Sequence, residues 1–95
     1  MVIGLLRVRF RLPSRSLKEK RAILRPLVER TRNRFNAGIA EIDDLDSKEF
    51  ATVAAVCVAN DRRLVQAMLD DIVNALTDGR FDVEVLEVAT ELIDE

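Results

Sequence analysis

The sequence predicts an α+β sandwich, a four-stranded antiparallel sheet with two helices on one face. Three observations predict it. Segments near the start, middle and end alternate apolar and polar residues with the period of two expected of half-buried strands. Two other segments carry an apolar stripe with helical period. Their order along the 95 residues is βαββαβ, and right-handed crossovers then put both helices on the same side of the sheet.

The first strand is read from Val2 to Leu12. Leu6, Val8, Phe10 and Leu12 point to one face, and Leu5, Arg7, Arg9 and Arg11 to the other. Pro13 ends it. Ser16-Leu17-Lys18-Glu19 has the form of a capping box, in which serine and glutamate satisfy unpaired N–H groups reciprocally. A helix follows to about Phe35, with Leu17, Leu24, Leu27, Val28, Thr31 and Phe35 on one face and Ile23 at its edge. Pro26 lies inside it. The stripe stays in phase across the proline, which predicts a bend rather than a break.

Asn36 to Gly38 reads as a turn, Ile39 to Ile42 as a short strand, the acidic segment 43–49 as a hairpin connection, and Phe50 to Ala59 as a strand. Asn60 or Asp61 caps a second helix with Leu64, Val65, Met68, Leu69, Ile72 and Leu76 as its core stripe. Asp78-Gly79 is a turn signal. The last strand runs from Phe81 to Ile93. Its inward phase passes from Phe81, Val83 and Val85 to Leu86, Val88, Thr90 and Leu92, a slip that predicts a β-bulge near residue 85. Asp82, Glu84, Glu87 and Glu91 then share the outer face. This is the ferredoxin-like arrangement, and it leaves one sheet face uncovered.

Composition narrows the chemistry. Hydrophobic residues at 48% and charged residues at 34% describe a folding chain, and its length suits one domain over residues 1–95. With no His, Trp or Tyr and one Cys, a Ser-His-Asp triad, a Cys-His pair, a His-ligated metal and an intrachain disulfide are excluded. No enzyme activity, metal or cofactor is expected. The opening residues lack the form of a signal peptide, and the longest apolar stretch, 51–59, is far short of the roughly 20 residues of a membrane span. A cytoplasmic protein without membrane contact is expected, with Cys57 as a small reduced hydrophobe.

The net charge of −2 conceals a split. Residues 1–35 hold 11 of the 15 Lys and Arg against Glu19 and Glu29, a local charge of +9. Residues 36–95 hold the other four against 15 acids, a local charge of −11. Such asymmetry points to nucleic acid or another anion as partner, or to halves that neutralise each other within the fold.

The run Ser16-Leu17-Lys18-Glu19-Lys20-Arg21, then Arg30, Arg32, Phe35-Asn36 and Ala40-Glu41 with Asp43 and Asp46, together with Asn60-Asp61-Arg62, resembles the YlxP-like family of small bacterial proteins of unknown function. The resemblance covers about residues 1–93. Pro26, Arg7 and Arg9 look like departures from the family pattern. The resemblance implies a ferredoxin-like fold and a cytoplasmic setting, with genes often near those for transcription elongation and translation initiation factors. It implies no catalytic residues.

Four groups of residues are candidates for function. Lys18, Arg21, Arg25 and Arg32 form a basic stripe on the first helix that could track phosphates. The bland alternative is a solvated face with Arg25–Glu29 and Glu29–Arg32 pairs. Ser14 and Ser16, with Lys18 and Arg21, surround the free N–H groups of the helix start, a possible anion site; here the alternative is an ordinary cap whose lysines reach into solvent. Arg7, Arg9 and Arg11 stand on the open sheet face. Without Tyr or Trp there, base stacking of the RRM kind is close to excluded. These arginines are expected to pair across the strands with Glu84, Glu87 and Glu91, or else to serve phosphate contacts or a dimer interface. The acidic residues Glu41, Asp43, Asp44, Asp46 and Glu49 are expected to form a solvated loop, since their spacing lacks the features of a calcium loop.

The leading expectation is a non-enzymatic protein that docks on ribosomal or other structured RNA through the basic helix face and the Ser14–Ser16 turn. The alternative is self-association, as a homodimer, through the open sheet, where small Ala55, Cys57 and Ala59 lie between charged strands, or through an edge strand.

Overall fold

The computed structural model describes residues 1–79 and 82–95. The elements are β1 (Val2–Arg11), α1 (Leu17–Arg34), β2 (Gly38–Asp43), β3 (Phe50–Ala59), α2 (Arg62–Leu76) and β4 (Glu84–Asp94). The sheet order is β2-β3-β1-β4 with every neighbour antiparallel. This is the expected ferredoxin-like α+β sandwich.

Alternation in β1 sends Leu6, Val8 and Phe10 under the helices, where each is at most 1% exposed. Ala51, Val53, Ala55 and Cys57 of β3 join them, and Ala59, opposite buried Val2, packs against the same core, so Ala55, Cys57 and Ala59 belong to the core side and not to the open face. Pairing of Leu5 with Val56 and of Ile3 with Val58 puts Val56 and Val58 on the open face instead. The same in-register logic applies to any sheet: directly opposed residues share a face.

On α2, Val65, Leu69, Ile72 and Leu76 are buried. Leu64, expected among them, is 50% exposed. At about 100° per residue it falls roughly 100° from the stripe's centre, too far round to reach the core. The helix lies close on β1 because of Gly4. A Cβ there would stand 2.5 Å from Val65 Cγ1 and 3.1 Å from both Cys57 Sγ and Leu69 Cδ1. Asp61 is the N-cap and accepts from the Arg63 N–H at 2.8 Å.

Helix α1 continues unbroken through Pro26. The proline is on the exposed side, so the carbonyl that loses its N–H partner faces water and the cost is reduced. Ser16 caps the helix by accepting from the Glu19 N–H. The other half of the expected capping box differs: the Glu19 carboxylate accepts from Arg15 N at 2.7 Å, one residue further out.

The bulge is present. Arg9 pairs with Glu87 and Phe10 with Val85, leaving Leu86 as the extra residue. β4 begins at Glu84, and the predicted start of this strand at Phe81 lies outside the described residues. Val85 and Val88 do take the helix side of the sheet, opposite Phe10 and Val8, yet they are 38% and 44% exposed. The helical layer leaves this part of the edge strand uncovered.

Candidate phosphate-binding face and the open sheet

Charged residues of the β1–α1 half meet the acidic hairpin first. Lys20 is 2% exposed, buried in the stripe of α1 between Leu24 and the hairpin. Its Nζ donates to the backbone carbonyls of Asp44 at 2.7 Å and Ser47 at 2.9 Å, and stands 2.9 Å from Glu41 Oε2. That oxygen is itself buried and has no directed hydrogen bond, so the contact with Lys20 is an ion pair. The expectation that the first-turn lysines reach into solvent therefore fails for Lys20. Its phase on the helix, three residues before Ile23 and four before Leu24, already placed it on the apolar stripe.

Asp44 is the hub of the hairpin. Its carboxylate accepts from Arg9 Nε at 3.1 Å and from the Thr52 hydroxyl at 2.7 Å, while its φ of 61° turns its carbonyl toward Lys20. Those hydrogen bonds, from Arg9 first and Thr52 second, hold the Asp44 carboxyl below the usual carboxylate range and raise the Arg9 pKa in return. Left-handed backbone is tolerated by Asp and Asn more readily than by other residues with a side chain. The segment expected to be a solvated loop is thus an ordered acceptor for basic groups.

The same contacts correct the reading of the strand arginines. Arg9 binds Asp44 and covers the Phe50 ring at 4.6 Å; Arg11 pairs with Glu49 at 3.4 Å. Neither forms an ion pair with Glu84, Glu87 or Glu91, although Arg9 feels Glu87 at longer range. The acids on β4 are in register but extend from a strand beside the arginines, whereas the hairpin folds back over the end of β1. Arg7 has no ion pair among the described residues.

The helix-start site is partly closed. Ser14 is 7% exposed and its hydroxyl donates to the Lys48 carbonyl, while the Ser16 hydroxyl accepts from Glu19 N. The Ser14 hydroxyl proton is thus engaged within the chain and is not free to meet an anion, contrary to its place in the predicted site.

The basic stripe is different. Lys18, Arg21, Arg25 and Arg32 are exposed, and Arg21 and Arg25 contribute to two adjoining depressions. One of them, bounded also by Glu29, Arg32 and Glu41, is a groove of about 290 Å³ between α1 and β2. One guanidinium N–H of Arg32 is engaged by the Ile39 carbonyl at 2.7 Å, which fixes the plane of that group beside the groove. No ion pair within 4 Å joins Glu29 to Arg25 or Arg32 among the described residues, so the neutralising pairs are not formed. The arrangement presents four exposed cations over a shallow surface that Glu29 and Glu41 also border. It can bind phosphate oxygens, and it contains no nucleophile beside a base.

Among the described residues, no three His, Cys, Asp or Glu side chains are placed to hold a metal, and no helix is long and apolar enough to cross a membrane. Cys57 is buried, and burial pushes its thiol pKa up. A family model described as "Protein of unknown function (DUF503)" matches residues 3–90. Among curated proteins, none matches the chain.

Proposed function

We propose, for a chain that belongs to the DUF503 family of proteins of unknown function, a non-enzymatic role in binding structured RNA, with ribosomal RNA as the first candidate. The observation that carries the reading is the residual charge on α1. Ion pairs with the hairpin neutralise Lys20, Arg9 and Arg11. Lys18, Arg21 and Arg25 have no acid within ion-pair distance among the described residues, and Arg32 keeps free N–H groups beside them. Arginine is suited to phosphate because its planar fork meets two oxygens at once. Contacts of this kind position an RNA without reading its bases. The YlxP-like resemblance of the Ser16–Arg21 run belongs to the same reading, as does a bacterial cytoplasmic setting.

The test is binding to small-subunit ribosomal RNA across a salt series. Four phosphate contacts give a log–log slope of roughly −3 to −4. The slope and the affinity are expected to collapse in Arg21→Glu/Arg25→Glu, whose positions are exposed and whose fold is expected to be intact. Unchanged affinity in that variant overturns the reading.

The second reading, self-association, uses the opposite layer of the sandwich and is compatible with the first. It is favoured by the exposure of Val56 and Val58 on the uncovered sheet.

A further inference from the structure

We infer that the groove between α1 and β2 takes one unpaired guanine of a bound RNA, with the Glu29 carboxylate accepting from the N1–H and the exocyclic amino group of the base. This rests on the RNA reading and deepens it: the basic stripe positions the strand, and the groove adds a base contact.

An acid stands where a surface built for phosphate alone would carry none. Along α1 the stripe runs Lys18, Arg21, Arg25, Glu29, Arg32. Steps of three or four residues keep all five on one face of the helix. Glu29 is exposed, lies between two arginines, and forms an ion pair with neither among the described residues. Arginine four residues ahead of an acid is the weaker order for such a pair. Arg32, on the other side, donates to the Ile39 carbonyl at 2.7 Å. A carboxylate at this point repels a phosphate and lowers the affinity of any surface that only tracks a backbone. It is favourable when the ligand brings N–H donors to the same spot.

The groove limits what that ligand is. Its volume is about 290 Å³, and Leu24 and Val28 line it with carbon. Sites for whole drug-sized molecules begin at about 300 Å³, so this one has room for a single ring system and little more. Its two acids are not equivalent. Glu41 is committed, with Oε2 standing 2.9 Å from Nζ of the buried Lys20. Glu29 is the acceptor left over. Arg32, held at the groove by the Ile39 carbonyl, is the donor, with N–H groups still to spare. Residues three apart on a helix have Cβ atoms about 5–6 Å apart, so an acceptor fork and a donor fork border the same small space.

Guanine alone of the four bases answers that pair. Its N1–H and amino group are adjacent donors that match the two oxygens of a carboxylate. Its O6 and N7 are adjacent acceptors that arginine meets bidentately. Adenine and cytosine set an acceptor beside their amino group, and uracil sets a carbonyl on each side of its N–H. Each of these would turn a lone pair toward one oxygen of Glu29. The guanine must be unpaired, because Watson–Crick pairing occupies the same donors, and unpaired bases in loops and bulges are the ones proteins read in RNA. Arg21 and Arg25 stay with the flanking phosphates.

Fluorescence anisotropy with the whole chain at low salt tests this, comparing a dodecamer of uridylate with the same dodecamer carrying one central guanosine. The guanosine dodecamer is expected to bind about tenfold tighter, near the lower end for a good base contact because the groove is open to water. Inosine in its place lacks the amino group and is expected to keep only about a threefold preference. The sign of the Glu29→Gln effect then separates the alternatives. On a surface that only tracks phosphates, loss of the acid tightens both dodecamers alike. On a guanine site it tightens the uridylate by about twofold, weakens the guanosine dodecamer, and brings the preference within about twofold. Glutamine matches glutamate in helix propensity and the site is exposed, so circular dichroism and melting of the variant should match wild type. Guanosine monophosphate brings one phosphate to a stripe of four cations and is expected to compete only at millimolar concentration; competition at micromolar concentration overturns RNA as the source of the base. Equal affinity for the two dodecamers, or a Glu29→Gln variant that tightens both, overturns the guanine site while ribosomal RNA still binds with its salt slope. Absence of ribosomal RNA binding at low salt overturns the site and the RNA reading together.

Discussion

Replacing Lys20 with Met removes one charge from the least exposed ion pair among the described residues. The side chain of Lys20 is 3% exposed and that of Glu41 is 24% exposed. Methionine fills nearly the same volume and keeps the helix propensity, so packing is conserved. Two acceptors, the carbonyls of Asp44 and Ser47, lose their donor, and the Oε2 atom of Glu41 loses its ion-pair partner. Breaking a fully buried pair from one side costs about 3–5 kcal/mol. Because Glu41 retains some contact with water, the expected loss is about 2–4 kcal/mol, read as a lower urea midpoint at constant m. For a domain of this size that is a fall of roughly 10–25 °C in Tm. A second variant separates charge from hydrogen bonding. Glu41→Gln in the Lys20→Met background removes the stranded carboxylate, so the double variant is expected to be more stable than the sum of the two single losses predicts by about 1 kcal/mol or more. A Lys20→Met protein within about 0.5 kcal/mol of wild type would refute the reasoning, since it would mean the hairpin is solvated in solution and its acids are not neutralised through this lysine.

Other outcomes follow from single contacts. Asp44 is held below its ordinary pKa, so the stability it confers is present above the unfolded value near 3.8 and is lost as pH falls through the lower folded value. Acid titration of Asp44→Asn, a residue that tolerates the positive φ, should show a shallower loss of stability below about pH 4 than wild type; parallel curves would remove Asp44 from the account. Cys57 is buried and its thiol pKa is raised, so labelling by a thiol reagent should be slow and should accelerate in step with global unfolding as urea is added. Fast labelling in native buffer contradicts that. Gly4→Ala should cost about 1–3 kcal/mol by driving a methyl against Val65, and should cost less in a Val65→Ala background; equal costs in the two backgrounds would move the clash elsewhere.

The fold was legible because each element carries its own period and its own stop. Pro13, Gly38, Asp61 and Gly79 punctuate segments whose buried faces match the alternation in β1 and β3 and the stripe in α2. The slip near residue 85 foretold the bulge because only an extra residue can restore the inward phase of a strand. Ala55 and Cys57 were assigned to the wrong face for a related reason. In a run of small apolar residues the period of two is faint, and the partner strand decides which member of each pair is buried. Val85 illustrates a further limit: a hydrophobic residue in phase with the core is covered only where the facing layer extends far enough.

The charges were harder to read because pairing depends on loop geometry, and loop geometry has no period. Register with β4 made Glu84 and Glu87 the natural partners of Arg11 and Arg9. The hairpin wins because the left-handed residue Asp44 folds it back over β1, bringing Asp44 and Glu49 within reach from the other side. That one turn also captures Lys20. The split of +9 against −11 in the sequence is therefore resolved unevenly. Acids of the hairpin neutralise cations of the sheet and of the buried face of α1, while Lys18, Arg21 and Arg25, roughly 100–160° round the same helix from Lys20, stay beyond its reach. A basic half of a chain says little about an anion partner until this subtraction has been made. What is left after it is a compact cationic stripe on one layer and an apolar patch on the other, two surfaces with opposite chemistry that a 95-residue sandwich can offer to two different partners at once.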